Sequence, residues 1–382
     1  MMVKTVLVIT FFFLCAVIVI VGQTEPYVPE TDPLVLKKLD QWQDWKFGFL
    51  MHWGPYSQWG IVESWSLCSE DEDWCGPPKN NKFTEKYVND YIGYVKAYEQ
   101  LPTTFNPVKF DPDKWASTAK DAGMKYVVFT TKHHDGFAMF DTKQSDYKIT
   151  AASVPFHTNT RANVAKEVFK AFRAQGFGIG AYFSKADWHS DDYWWRRFAT
   201  PNRYVNYDTR KYPERWQNFV KFTHAQIGEL TSGEYGPIDI LWLDAGWVRK
   251  PRPDDNKDIT KIGEFRHGPE DIDIDGLAKL ARKNQPGIIV VDRAVGGRYE
   301  NYRTPEQKIP DKPLPYPWET CMTLGIRGPT CPTTITNLLT AWYICWLMLW
   351  QRAVITFSTS ARTLMANCRR WPSSDCARSA NG

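Results

Sequence analysis

The sequence predicts an α/β fold, a (β/α)8 TIM-like barrel, on three observations. From Asp40 onward, short apolar runs alternate with longer amphipathic stretches, the pattern of a parallel sheet wrapped by helices. The runs are continuously apolar rather than alternating, as strands buried on both faces should be. No GxGxxG follows the first run, which counts against an open dinucleotide-binding sheet. The 382 residues have room for one barrel of about 250.

Five strands are expected in order: Phe47 to Met51, Tyr126 to Thr130, Gly178 to Phe183, Ile238 to Leu243 and Ile288 to Asp292. Helices are expected between them. Asp113 to Ala122 sets Trp115, Ala119 and Ala122 on one face, and Asn163 to Ala174 does the same with Val164, Val168 and Phe172. Gly176 supplies a C-terminal stop for the second. Glu214 to Leu230 and Asp275 to Lys283 complete the set.

The N-terminus sets Lys4 before an apolar run from Val6 to Val21. We read residues 1–22 as a secretory signal peptide, expect a secreted or periplasmic protein, and assign 23–325 to the catalytic barrel. Basic and acidic residues nearly cancel, 47 against 43, so nothing points to nucleic acid. The 18 Trp fit either a large core or a surface for pyranose rings, whose apolar faces pack on indoles. Cys68 and Cys75 flank the acidic segment SEDEDW. Export permits a disulfide between them, and two free thiols fit equally. No CxxC or HExxH spacing is present, so neither a metal nor a cofactor is expected.

Working residues of a barrel enzyme sit at the C-terminal ends of its strands. Here His52 follows the first strand, and His133, His134 and Asp135 the second. Ser184, Asp187 and His189 follow the third, Asp244 ends the fourth, and Asp292 and Arg293 end the fifth. A capping or loop role explains any one of them, but not five in succession. The adjacent pair His133-His134 should point to opposite sides if its strand continues, which favours hydrogen bonding over a metal. Asp244 sits in LWLDAGW among apolar neighbours. A glycosidase supplies a reason for such a carboxylate, because it needs one carboxyl as nucleophile and another as acid/base. Glu300, Glu306 and Glu319 are equal candidates for the partner.

KFGFLMHWGPYS, ESWSLCSEDEDW, the long segment ending KHHDGFAMFDTK, LWLDAGW and NYRTPEQ together resemble the α-L-fucosidases, glycoside hydrolase family 29, from about Leu36 to Gly325. ESWSLCSEDEDW and YFSKADWHS resemble a bacterial subgroup. The resemblance implies Asp244 as nucleophile and Glu306 as acid/base of an exo-acting, retaining fucosidase. It also implies that His52, Trp65, His133, His134, Tyr182 and Arg293 hold the fucose, with Trp318 lining the same pocket. The implied partner is a fucosylated oligosaccharide or glycoconjugate, with no stable membrane partner. A fucose-binding barrel without catalysis, or a hydrolase for a related sugar such as a galactoside, is the alternative.

After Gly325 the resemblance stops, and the barrel's end and the usual β-sandwich are missing or replaced. Residues 326–382 contain Arg but no Lys, one acid (Asp375) and four cysteines. Restoring one nucleotide after the Gly325 codon allows a back-translated frame to read NSWAYVPNDNYKS and then LVYMLVDVVAKGGNYFLNIGPDADGELPP, the stretch the family would have. We read the tail as frameshifted. The run Leu338 to Trp350 is too short to span a membrane. A barrel without its last strand exposes sheet edges, so the chain as given is expected to fold poorly or to be inactive.

Overall fold

The computed structural model describes residues 26–71, 74–196, 201–253, 255 and 268–323, together with the backbone of strand 354–360. The segment 1–22 expected to be a signal peptide and most of the tail lie outside the described residues.

The fold is α/β with one parallel sheet. Its strands are β1 (Phe47–His52), β2 (Tyr126–Lys132), β3 (Gly178–Ser184), β4 (Ile240–Asp244), β5 (Ile289–Asp292), β6 (Glu319–Thr323) and β7 (Val354–Ser360). The order across the sheet is β5-β4-β3-β2-β1-β7-β6, and every pairing is parallel. The five strands expected from the apolar runs all form, within two residues of their expected ends.

Helix α1 (Pro33–Trp45) precedes β1, and α2 (Tyr91–Glu99), α3 (Pro112–Asp121), α4 (Val164–Ala174), α5 (Pro213–Thr231) and α6 (Ile274–Asn284) lie between the strands. Their starts obey local chemistry. Asp32, Asp90, Asp111, Asn163 and Asp273 each accept a first-turn backbone N–H, the standard N-cap bond. α4 ends as expected at Gly176, which takes a φ of 84° and donates to the Arg173 carbonyl at 2.9 Å, with the turn completed by Phe177 donating to Phe172.

Each face of the sheet has its own core. Phe49, Met51, Val127, Phe129, Ile179, Phe183, Leu241, Leu243 and Val290 pack outward against α3 to α6. The alternate residues Leu50, Val128, Tyr182, Ile240, Trp242, Ile289 and Val291 form a second cluster with Tyr302, Cys321 and Val35, Leu39 and Trp42 of α1. This inner cluster joins β5 and β6, the two ends of the sheet order, so the sheet curls around it. Segment 299–303 links those two edges. Asn301 N–H donates to Val290 O at 3.0 Å, Asp292 N–H to Tyr299 O at 2.8 Å, and Glu319 N–H to Arg303 O at 2.7 Å.

Strand β7 differs from expectation. Residues of the anomalous tail pair with β1 on one side and β6 on the other, so β1 has no open edge. The segment VITFSTS is rich in β-branched and aromatic residues, which suit a strand whatever the history of the tail.

Two glycines let large rings fill the inner face. A Cβ on Gly48 would lie 2.1 Å from the Tyr126 ring, and one on Gly178 would lie 2.0 Å from the Trp45 ring. Overpacking of this kind costs about 1–3 kcal/mol. Gly178→Ala should therefore lower stability by that amount, read as a shift of the urea midpoint; an unchanged midpoint would contradict this packing.

Candidate active site

Strands β3, β4 and β5 end side by side, and their register brings three side chains together. Tyr182 pairs with Trp242, and Ser184 with Asp244. Arg293, just past β5, donates its backbone N–H to Leu243 O at 3.0 Å. Asp244 is buried at the focus. One of its oxygens accepts Tyr182 Oη–H at 2.6 Å. The other accepts Arg293 Nη1–H at 3.0 Å and the Ala245 N–H at 2.8 Å. Ala245 has a φ of 71°, and this left-handed turn accompanies the carboxylate's bond to its own neighbour's amide. Burial alone would raise the Asp244 pKa, but the Arg293 charge, His134, the Tyr182 hydrogen bond and His133 outweigh it, leaving the carboxyl well below the ordinary range. Asp244 is therefore ionised.

Arg293 also bonds Glu306 through Nη2, so one guanidinium bridges both carboxyl groups. Glu306 is exposed, on a loop whose neighbour Gln307 donates to Cys321 O of β6 at 2.9 Å. The other two acids are committed elsewhere. Glu300 is buried against Arg303 and the Ala294 N–H, and Glu319 accepts from Tyr126 at 2.7 Å beneath the sheet.

Three imidazoles complete the floor. His52 meets Thr130 Oγ1 at 2.8 Å, His133 meets Ser64 Oγ at 2.5 Å, and His134 meets Ser184 Oγ at 2.7 Å. The His133 and His134 rings do not point to opposite sides. Their centroids are 4.2 Å apart, because β2 ends at Lys132 and a turn follows, with Gly136 N–H on His133 O. Burial depresses all three pKa values, to about 4 for His52, to about 3 for His134, and well below the ordinary value for His133. All three are neutral at pH 7. The 3.8 Å approach of His134 Nε2 to Asp244 is consequently not an ion pair, and that buried nitrogen has no hydrogen-bond partner. Tyr56 Oη, on a ring 6.0 Å from His133, is likewise unpartnered. Unsatisfied buried polar atoms beside an ionised carboxylate are what a polyhydroxylated ligand would satisfy.

Trp65 packs on His134 at 5.0 Å. Trp318, expected in the pocket, is buried with its backbone paired to Arg303. Among the described residues it shares no ring contact or side-chain hydrogen bond with the others, because its position one residue before β6 commits it to the strand edge. Several strand-end polar residues serve the scaffold instead. Asp187 pairs with buried Lys132 at 3.0 Å, Asp292 pairs with buried Lys185, Asp135 accepts from Tyr98 at 2.8 Å, and His189 meets Glu99 at 3.1 Å. Gly136, at a φ of 80°, sits where a Cβ would be 2.2 Å from Asp187, so much of KHHDGF is turn architecture. Cys68 is a buried free thiol, not a disulfide half.

Glu63 was not foreseen. It is half-buried, at a φ of 36°. Burial and the nearby charges of Glu306 and Asp244 push its pKa up to about 7. The sequence held one signal, an acid directly before Ser64-Trp65 in a motif that carries the resemblance.

Two carboxyl groups facing a floor of imidazole and indole on a parallel α/β sheet are the equipment of a glycoside hydrolase. The comparisons narrow this class. The model of the alpha-L-fucosidase family matches residues 14–328, and the chain belongs to that family. It is 26% identical over 305 residues to a putative alpha-L-fucosidase of Caenorhabditis elegans, covering 78% of this chain and 54% of the relative. It is 29% identical over 233 residues to the tissue alpha-L-fucosidase of Bos taurus, covering 59% and 43%. The chain thus spans about half the length of the curated relatives it matches. Among solved structures, alpha-L-fucosidase isoenzyme 1 from Paenibacillus thiaminolyticus aligns with a TM-score of 0.64 at 26% identity, over 87% of this chain and 74% of that one. An alpha-L-fucosidase from Lactobacillus casei in complex with alpha-L-fucose product shares the fold, with a TM-score of 0.57 at 22% identity, over 86% and 92%.

A buried imidazole whose folded pKa lies below its unfolded value near 6.5 favours folding above that value and loses this contribution as pH falls toward the folded one. His134→Gln should therefore narrow its stability gap to wild type by on the order of 1–3 kcal/mol between about pH 7 and about pH 4. Glu63 and Asp135, with pKa values raised to about 7 and about 6, act in the opposite sense, but in both proteins alike. Denaturation at the two pH values reads the difference; a constant gap would mean that His134 is not held neutral.

Proposed function

We propose that this chain is the catalytic part of an exo-acting, retaining α-L-fucosidase that removes terminal α-L-fucosyl residues from glycans or glycoconjugates. The observation that carries the reading is the ionised Asp244, fixed by Tyr182 and Arg293 beside the unpartnered His134 Nε2. Family membership supports fucose as the sugar. A related structure in complex with alpha-L-fucose product, and another in complex with Fuca(1,6)GlcNAc, support a fucosylated ligand. The finer architecture we propose is a (β/α)8 barrel, which the curled sheet and the 299–303 link between its edges support.

In this reading Asp244 attacks the anomeric carbon, and Glu306 protonates the departing oxygen. Water then hydrolyses the fucosyl-enzyme with Glu306 as base. Retention requires carboxyls roughly 5–5.5 Å apart, and two acids gripped by adjacent nitrogens of one guanidinium favour so short a separation. His52, His133, His134 and Tyr182, all aligned on the same floor, would receive the sugar hydroxyls, and Trp65 the ring face. Arg293 bonds the Glu306 carboxyl, so Glu306 must turn from it to reach the departing oxygen. Glu63, protonated to a substantial degree at pH 7, gives a second reading for the acid.

We also propose export through the N-terminal segment and a shifted frame after Gly325, with strand 354–360 standing in for the family's closing strand. An aryl α-L-fucoside tests the function on two purified chains, one as given and one with the frame restored. The restored chain should turn over, and Asp244→Asn in it should lose activity by on the order of 10³-fold or more while retaining fucose binding. No turnover by a folded, restored chain would favour the sugar-binding or other-substrate readings. Glu306→Gln should lose about 10²–10⁴-fold on poor leaving groups and much less on activated ones. If Glu63→Gln shows that signature instead, Glu63 is the acid.

A further inference from the structure

The acidic segment SEDEDW has no part in the site described so far, yet the fold ties it there. The Asp71 side chain is buried, accepting the Arg203 backbone N–H at 2.7 Å and pairing with its Nε at 3.1 Å. The backbone N–H of Glu70 donates to Pro201 O at 3.1 Å. So anchored, Arg203 lies 4.9 Å over the Trp65 ring and 5.1 Å over that of Trp247. Trp65 in turn packs on His134 at 5.0 Å and on Trp74 at 5.7 Å, inclined by 64°. A continuous aromatic wall thus runs from the imidazole beside Asp244 out to Trp74. That indole is 51% exposed, although tryptophan is on average a highly buried residue.

We propose that Trp74, packed on the Trp65 ring that Arg203 covers, is the platform for the leaving-group sugar, a pyranose stacked by its apolar face. The assignment rests on the fucosidase reading above. An exo-acting site admits one residue into the pocket, and the sugar on the far side of the scissile bond must lead out to solvent along a wall. The wall here is aromatic, continuous with the carboxylate, and ends in a half-exposed indole. Asp71 is then an anchoring residue, turned inward to fix Arg203, and Trp74 is presented to substrate.

The test uses the full chain carrying Asp244→Asn, so that ligands survive, and calorimetric titration with two probes. One is methyl α-L-fucoside, which has no second ring; the other is a set of α-L-fucosyl disaccharides ending in N-acetylglucosamine or galactose. We expect at least one disaccharide to bind roughly three- to tenfold tighter than the methyl glycoside. Trp74→Ala should erase that advantage while leaving methyl glycoside affinity unchanged, and Trp74→Phe should keep most of it. The assignment is overturned if no disaccharide outbinds the methyl glycoside, if the advantage survives Trp74→Ala, or if both probes weaken equally. Failure of the methyl glycoside to bind at all would instead sink the fucosidase reading, and the platform with it.

Discussion

The contact between Arg293 and Asp244 is the constraint on which the rest of the site depends. A carboxylate buried at a strand end is strongly disfavoured unless it is paired and hydrogen-bonded. Here the guanidinium, the Tyr182 hydroxyl and the Ala245 amide meet that requirement. Each donor comes from a different place: β3, the turn leaving β4, and the residue after β5. The parallel register that aligns those strand ends is therefore as much a part of the site as the side chains. It is maintained from below by the inner aromatic cluster, which Gly48 and Gly178 leave room for.

Around this centre the protein separates charge from hydrogen bonding. The imidazoles nearest Asp244 are neutral, each with one nitrogen on a hydroxyl of Ser64, Thr130 or Ser184. The other nitrogen of His134 has no hydrogen-bond partner, and neutrality keeps the imidazoles from competing with Arg293 for the carboxylate. The lysines that follow the same strands, Lys132 and Lys185, are fully buried and spent on Asp187 and Asp292. Those pairs fasten the strand-end loops without adding charge to the pocket. Arg293 couples the two acids of the proposed reaction, so moving Glu306 off it would change the electrostatics at Asp244 as well.

Most of the sheet was legible in the sequence because strands buried on both faces are written as unbroken apolar runs. The helices were legible because their caps and apolar faces are local. The site was legible to the extent that working residues cluster at strand ends, which found Asp244, Arg293 and the histidines. The same rule also gathered Asp135, Asp187, His189 and Asp292, since a residue that fastens a loop and one that faces a ligand occupy the same sequence position. Strand β6, with the polar sequence ETCMT, carries no apolar run to read. The pairing of β7 depends on two distant neighbours. The convergence of the His133 and His134 rings depends on where β2 stops. Glu63 and Trp74 lie in loops without periodicity, and only the packing of those loops against the strand ends shows what they face. Glu306 could be chosen over Glu300 and Glu319 from the residues alone only by resemblance; the fold separates them by what already occupies each carboxyl.

The most direct measurement is covalent trapping. The frame-restored chain would be incubated with a ring-fluorinated fucosyl fluoride, which forms a fucosyl-enzyme quickly and releases it slowly, and then digested for peptide mass mapping. One added fluorofucosyl group is expected on the peptide containing Asp244, with labelling blocked by excess fucose. A label on Glu63, on Glu306 or on no carboxylate would contradict the assignment of Asp244 as the nucleophile that the fold holds ionised.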